Sequence, residues 1–503
     1  MDYERGLDTF KRLAEGTAWY QDFAVHEASL RDNLHDERWY GPSEQTRRDR
    51  TRIVDQLNAL ALAHLGISFN DLCQGVKPTP SVQKPPPEEP EPPAVPPQRE
   101  RAWVRFKLQI ARLAGLEFEV RAFETPMGEP YTTGRLPYGP GDLIAVLKAL
   151  EFGAYVPDHF TPTQTEVLRR LGLLSDPHLV PDLLPRLGQG LYQALFPEQV
   201  GTAFQMALNQ ARSTRDTVAL QLRFDHDAVA LARYPWELLH DGYRHLLSGG
   251  AVEMTRYIAY PEATTALPAA PPWRLLYVAA RPQDLAGLPD DAERLAVWNA
   301  LQSLAEAGRL ALDRLEPPTY DALLERMAGT DYHVIHFDGH GVFARRCPQC
   351  ATMHYPHLAT CQSCGTSLEG APPLGYLAFE NSAGDADYVS TEDMENLLLG
   401  SEVRLVLLSA CQSSVVRGES LFGGLGPGLV RAGVPAVVAM QFSLPVGSAV
   451  RFAQGFYAAL AQGESVPRAA AQGRQRLFRD KTWFTPTLYL RSTDDEGRLF
   501  SGQ

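Results

Sequence analysis

The chain has 503 residues, with 47 Lys and Arg against 60 Asp and Glu and a net charge of −13. That length exceeds one small domain and calls for roughly two to four compact units. The acidic balance argues against a duplex nucleic-acid binder, which meets phosphates with basic patches. No apolar run approaches the ~20 residues that span a bilayer. The first residues, Met1-Asp-Tyr-Glu-Arg5, lack the charged-then-apolar pattern of an export leader. The cysteines sit in metal-like and site-like positions rather than spreading as a disulfide framework, which favours a reducing cytoplasm.

Residues 1–75 read as a small helical unit. Apolar residues recur at helical spacing in Leu7, Phe10 and Leu13 and again in Ile53, Leu57, Leu60, Leu62 and Leu65, with a turn at Gly41-Pro42-Ser43 between. The charge run Arg47-Arg-Asp-Arg-Thr-Arg52 reads as a solvated helix face. Residues 76–100 hold ten prolines among acidic residues, a composition that builds no packed core and suits an extended polyproline-II linker. Residues 101–268 mix predicted strands (Trp103–Ile110, Leu116–Phe123, Val218–Phe224, Val252–Tyr257) with helices near 141–151, 163–172 and 189–212. The segment Tyr234-Pro-Trp-Glu-Leu-Leu-His240 there reads as packing around a large buried Trp.

Residues 269–503 are regular. Strands are predicted at Arg274–Ala280, Arg309–Leu315, Tyr332–Gly341, Tyr376–Glu380, Val403–Cys411 and Pro435–Gln441. Helices are predicted at 290–307, 318–329, 391–400, 420–432, 445–462 and 466–479. Strands alternating with helices imply βαβ units and a mainly parallel sheet. Near-continuous apolar strands such as Leu405-Val-Leu-Leu408 and Ala436-Val-Val-Ala-Met440 suit strands covered on both faces.

Two of these strands are expected to end in chemistry. One delivers His340-Gly341 and the other Cys411, and in open parallel sheets reactive groups lie beyond the carboxyl ends of strands. Free Cys titrates near 8.5 and free His near 6.5, so a neighbouring pair can exchange a proton at neutral pH. Cys411 would attack a carbonyl carbon and His340 would protonate the leaving amine. The N–H groups of Gly341 and Cys411 are candidates for the oxyanion. Either residue alone is as well explained by packing; each gains from the other. His333 and His336 lie on the strand itself and read as packed or hydrogen-bonded.

Between these strands stand Cys347-Pro-Gln-Cys350 and, ten residues later, Cys361-Gln-Ser-Cys364. Two such knuckles can close a tetrahedral Zn²⁺ site, making residues 345–370 a zinc-ribbon insertion. Gly365 follows the second knuckle where a positive φ is useful, and His354 and His357 are expected to face solvent. The ribbon reads as a structural staple or, more sharply, as a gate or exosite on the rim of the site.

The motifs His336-Phe-Asp-Gly-His-Gly341 and Leu408-Ser-Ala-Cys411 resemble the CHAT family of caspase-like cysteine peptidases. Further landmarks are Tyr234-Pro-Trp-Glu-Leu-Leu, Ala279-Ala-Arg-Pro-Gln-Asp-Leu285, the run Gly424–Met440, and Trp483-Phe-Thr-Pro-Thr-Leu-Tyr489. The resemblance spans about 190–495 and implies an α/β caspase-like sheet flanked by helices, a His340/Cys411 dyad and an oxyanion hole that includes Gly341. It also makes residues 101–268 comparable with the catalytically dead half that precedes the active one in separase. The chain departs from many relatives at Asp338, which is either an acidic wall of the primary specificity pocket or a loop-orienting group. Ser409, near the same pocket, leaves it without the carboxylate that basic-specific relatives place there, so the cleavage preference stays open. Tyr40 to Cys73 resembles the effector-associated adaptor domains of bacterial conflict proteins. That implies recruitment by a sensor or NTPase protein through residues 1–75, in antiviral defence or programmed cell death, with a gasdermin-like pore former as one candidate protein substrate. The rival reading is a catalytically silent adaptor that binds partners through residues 1–75 and the ribbon.

Overall fold

The structure is a computed structural model. It describes residues 2–15, 17, 20, 23–24, 26–27, 30–31, 34, 44–76, 102–125, 127–260, 269–285, 292–355, 358–411, 422–492 and 497–498, with backbone alone at 44–49, 52, 410–411 and 422–424. The Pro-rich stretch from 77 onward, the turn at 41–43, His357 and residues 412–421 lie outside the described residues.

The chain divides into two compact units, Met1–Arg99 and Glu100–Gln503. In the first, helices α1 (Tyr3–Ala14), α2 (Glu44–Leu65) and α3 (Phe69–Gln74) share a core of Leu7, Phe10, Phe23, Leu57, Phe69 and Leu72. Helix α3 begins on a capping box, the Ser68 hydroxyl and the Asp71 carboxylate each accepting from the other's backbone N–H. Cys73 is buried there, and burial pushes its thiol up to about 11, an inert state for a cysteine.

The second unit is built on one 14-stranded sheet. Its first part holds β1 (Trp103–Arg112), β2 (Glu117–Phe123), β3 (Tyr131–Arg135), helices α4 (Pro140–Phe152), α5 (Pro162–Arg170), α6 (Leu183–Leu195) and α7 (Glu198–Thr214), then β4 (Thr217–Asp225) and β5 (Val252–Ala259). Pro140 at the first turn and Gly153 in the left-handed conformation delimit α4. The single helix expected over 189–212 is two, parted by Pro197, which lacks the N–H that would continue the first. Phe106 on β1 packs against Phe204 with ring centroids 5.1 Å apart, so β1 is covered from the α7 side.

The second part contains β6 (Trp273–Ala279), α8 (Ala292–Glu306), β7 (Leu310–Arg314), α9 (Tyr320–Gly329), β8 (Val334–Arg346), β9 (Met353–His354), β10 (Leu374–Glu380) and β11 (Ala386–Ser390). There follow α10 (Thr391–Leu398), β12 (Leu405–Cys411), α11 (Phe422–Arg431), β13 (Ala436–Met440), α12 (Val446–Ala461), α13 (Val466–Arg476) and β14 (Pro486–Leu490). The main strand order is β11-β10-β8-β12-β13-β14-β5-β4-β1-β2-β3, with β6 on β8, β7 on β6 and β9 on β8. The pairs β6–β7, β6–β8, β8–β12, β12–β13, β14–β5, β5–β4 and β4–β1 are parallel, which bears out the α/β, mainly parallel expectation. Strands β3, β9, β11 and β14 were not predicted. β14 joins the two parts into one sheet by pairing Tyr489 with Arg256 of β5.

One difference bears directly on the site. The histidine strand was expected to stop at Gly341, yet β8 runs on to Arg346. Its apolar side chains at Val342 and Ala344 keep the alternation going, and residues 340–344 pair antiparallel with β10. Because β6 pairs with β8 only along 334–338, β8 changes neighbours at Gly339. A Cβ there would stand 2.8 Å from the Phe337 ring, so the crossing needs a glycine.

Candidate active site and cysteine ribbon

Parallel pairing of β8 with β12 sets His336 beside Leu407, Asp338 beside Ser409 and His340 beside Cys411. Adjacent strands lie about 4.8 Å apart, and alternate residues share a face. His336, Asp338 and His340 therefore line one face of β8, with positions 407, 409 and 411 level with them on β12. His340 is 2% exposed and Ser409 3%. β6 leaves the sheet at Ala279, level with Asp338, so strand neighbours diverge there, as they do where open α/β sheets take ligands. Gly341 is buried within β8, opposite Leu377.

Below His340 the same face is polar and buried. The fully buried His336 ring has Nδ1 3.0 Å from the Tyr457 hydroxyl of α12 and Nε2 3.1 Å from Glu293 Oε1 of α8. Burial holds the Glu293 carboxyl above its usual range, partly offset by the His336 bond. Asp338 accepts from the Tyr277 hydroxyl (2.7 Å) and from Arg281 Nη2 (2.6 Å), while Arg281 Nη1 donates to the Asp338 carbonyl (2.7 Å). Burial, with the Glu293 and Asp338 charges, raises the Tyr277 hydroxyl well above 10. The backbone N–H of Arg281 is in turn held by Glu380 of β10 at 2.8 Å. Asp338 is thus a neutralised group with a committed cation. Sequence reasoning did not single out Glu293, Tyr277 or Tyr457: Glu293 and Tyr457 sit on ordinary amphipathic helices and Tyr277 in an apolar strand, leaving no local signal. Arg281 lies in the Ala279–Leu285 loop, where its spacing gives no sign of a role. His333, as expected, is hydrogen-bonded, its Nδ1 accepting from the Arg274 N–H at 3.0 Å.

Beyond His340, β8 leads into the insertion. The Cys347, Cys350, Cys361 and Cys364 sulfurs all lie within 4.8 Å of one another. The pairs Cys347–Cys364 and Cys350–Cys361 are 3.6 and 3.5 Å apart. A zinc ion bound at ~2.3 Å by four thiolates requires sulfurs about 3.8 Å apart, so the donor set fits. The two knuckles repeat one geometry: Ala351 N–H donates to Cys347 O and Gly365 N–H to Cys361 O, with positive φ at both Ala351 and Gly365. The Thr352 hydroxyl and backbone draw the Cys350 thiol down to about 6, towards the thiolate that a metal takes. His354 departs from expectation. It is buried, with Nε2 3.1 Å from Cys361 Sγ, because β9 pairs with Arg345–Arg346 and turns its side chain into the ribbon core.

The family model described as CHAT domain matches residues 185–489. The chain belongs to the CHAT domain family. As a CHAT protein it is a caspase-like cysteine peptidase by family and fold class, and the match runs from α6 to β14, through both parts of the large sheet. Its fold overlaps gingipain R, an Arg-specific cysteine proteinase, at TM-score 0.35 and 11% identity over 59% of this chain and 68% of that one. The Porphyromonas gingivalis complex of gingipain pro- and mature domains gives TM-score 0.36 and 13% identity, over 59% and 70%. The Saccharomyces cerevisiae separase–securin complex gives TM-score 0.38 and 10% identity, covering 96% of this CHAT protein but 37% of the other chain. No curated protein matches the sequence. Among the described residues, no helix is long and apolar enough to cross a membrane.

Proposed function

We propose that the protein is a cysteine endopeptidase in which His340 and Cys411 form the catalytic dyad. The observation that carries this reading is the register of β8 on β12, which sets His340 level with Cys411 at the point where β6 leaves the sheet. In the reaction, Cys411 gives its proton to His340 and the thiolate attacks the scissile carbonyl carbon. The oxyanion is held by the N–H groups of Gly341 and Cys411. His340 then passes the proton to the leaving amine, and water, deprotonated by the same imidazole, hydrolyses the thioester. Burial of His340 and Ser409 keeps solvent away from the floor of this step.

The Asp338 carboxylate is matched by Arg281 and Tyr277, so we read it as the group that orients the crossing at Gly339. A substrate Lys or Arg would have to displace Arg281 to use that charge. The four cysteines hold a structural Zn²⁺ whose part is to fold the insertion. We further propose that residues 1–75 recruit the enzyme to a sensor or NTPase protein in cytoplasmic defence or cell death, with a protein substrate of the gasdermin-like kind.

The test is Cys411→Ala. It should lower peptide-bond cleavage about a thousandfold or more while leaving Tm unchanged, as expected when a nucleophile is removed. Sequencing the new termini formed by the wild type but not by the variant identifies the cut. Termini that persist in Cys411→Ala overturn the dyad.

A further inference from the structure

Two carboxylates of residues 101–268, Glu151 and Glu237, reach the loop beside the proposed dyad. The last parallel pair of β12 and β13 is Leu408 with Ala439. Three residues further along each chain stand Cys411 and Phe442, so the segment Gln441–Leu444 is the first stretch beyond β13, one strand over from Cys411.

Both polar side chains of that segment are gripped from the first part of the sheet. Gln441 Nε2 donates to Glu237 Oε2 at 2.7 Å, and its Oε1 accepts from Arg256 Nη2 at 3.2 Å. Glu237 and Arg256 are themselves an ion pair, both 1% exposed in their side chains. Ser443 donates its backbone N–H to both oxygens of Glu151, at 3.0 and 3.2 Å, and its hydroxyl to Oε1. Glu151 lies in the last turn of α4. The two apolar members, Phe442 and Leu444, are buried, Phe442 against Phe484 with ring centroids 5.4 Å apart.

A loop whose task is to join β13 to α12 has no need of this. Water could serve the Ser443 N–H, and sinking a carboxylate costs free energy unless fixed donors replace its hydration. Burial does push the Glu151 carboxyl upward, and the donors that pull it back are the Ser443 hydroxyl and N–H. The Glu237 of the Tyr-Pro-Trp-Glu-Leu-Leu landmark acquires a task on the same grounds, since it binds the loop at Gln441.

We infer that Glu151 is a substrate-positioning residue: with Glu237 acting through Gln441, it fixes the loop beside Cys411 that walls the cleft for an extended polypeptide, making residues 101–268 a working part of the active site. This rests on the peptidase reading above.

The experiment compares Glu151→Ala, Glu151→Gln and wild type in the full chain. The reporter is the peptide that wild type cuts best from a proteome-derived peptide library. Glu151→Ala should raise KM about tenfold with kcat changed less than about threefold, and Glu151→Gln, which keeps an acceptor for Ser443, should recover most of the loss. The rate of Cys411 alkylation by iodoacetamide should be the same in all three, since the dyad is untouched. Amide hydrogen exchange supplies a readout that needs no turnover: the Ser443 amide should exchange about tenfold faster in Glu151→Ala, with residues 334–340 unchanged. KM equal to wild type in Glu151→Ala, or an unchanged Ser443 exchange rate, overturns the inference. A wild type that cuts nothing sinks the peptidase reading instead, and exchange at Ser443 then still decides whether the grip exists.

Discussion

Along β8, residues 334–340 run through the interior and hold His336, Asp338 and His340 among buried partners, whereas residues 345–346 lead into an insertion whose own hydrophobic cluster is Cys347, Cys361 and Leu368, with Leu358 against it. The polar floor beneath His340 is held by four side chains from three elements or their flanks: Tyr277 and Arg281 at β6, Glu293 on α8, and Tyr457 on α12. The ribbon is held by four sulfurs within 4.8 Å, all from one short stretch of chain. Distant partners can order a polar group only once the whole sheet has formed, while a metal can order a local loop by itself. The first arrangement ties site geometry to global stability; the second separates the insertion from it.

That contrast can be broken at several points. The largest effect is expected at the ribbon. Replacing Cys350 and Cys364 by Ser should abolish zinc binding, forfeiting the ~10 kcal/mol or more of apparent binding free energy typical of structural zinc sites. Zinc release to a chromophoric chelator and hydrogen exchange measure this: residues 345–370 should lose protection while 334–340 keep it. Loss of protection along 334–340 as well would show that the two ends of β8 are one cooperative unit.

Next comes the floor. Asp338→Ala strands the Arg281 guanidinium and the Tyr277 hydroxyl, and should cost about 3 kcal/mol in global unfolding. Denaturant titration reads this directly, and zinc stoichiometry should stay at wild-type level. A stability change under about 0.5 kcal/mol would mean that the pair is not an anchor. The smallest effect is expected from Tyr457→Phe, which removes one hydrogen bond to His336 and should cost about 1 kcal/mol. It sharpens the comparison because the loss should appear as global destabilisation, with no change confined to one segment of the exchange map.

Much of this arrangement is legible in the residues alone. The apolar runs at Val334–Phe337 and Leu405–Leu408 announce strands buried on both faces, and the βαβ alternation from 269 announces the parallel sheet. Three strands that escaped prediction, Tyr131–Arg135, Ala386–Ser390 and Pro486–Leu490, are five residues each, and Met353–His354 is two. A five-residue segment carries too little periodicity to declare itself, and it becomes a strand through its partner: Tyr489 through Val437 and Arg256, Leu377 opposite Val389. His354 was misplaced for a related reason. Nothing in its neighbours says that pairing with Arg345–Arg346 turns it inward, onto Cys361.

Whatever depends on near neighbours is written in the residues themselves. The CxxC spacing determined the metal-like cluster, the alternation of strands and helices determined the fold class, and the apolar runs placed His340 and Cys411 on comparable strands. Tertiary structure alone decided that β8 continues past His340, that Arg281 claims Asp338, and that Glu151 reaches Ser443 across 292 residues of chain. Such pairings follow from where whole strands dock. Docking is settled by burial summed over many residues, a quantity that no local pattern records.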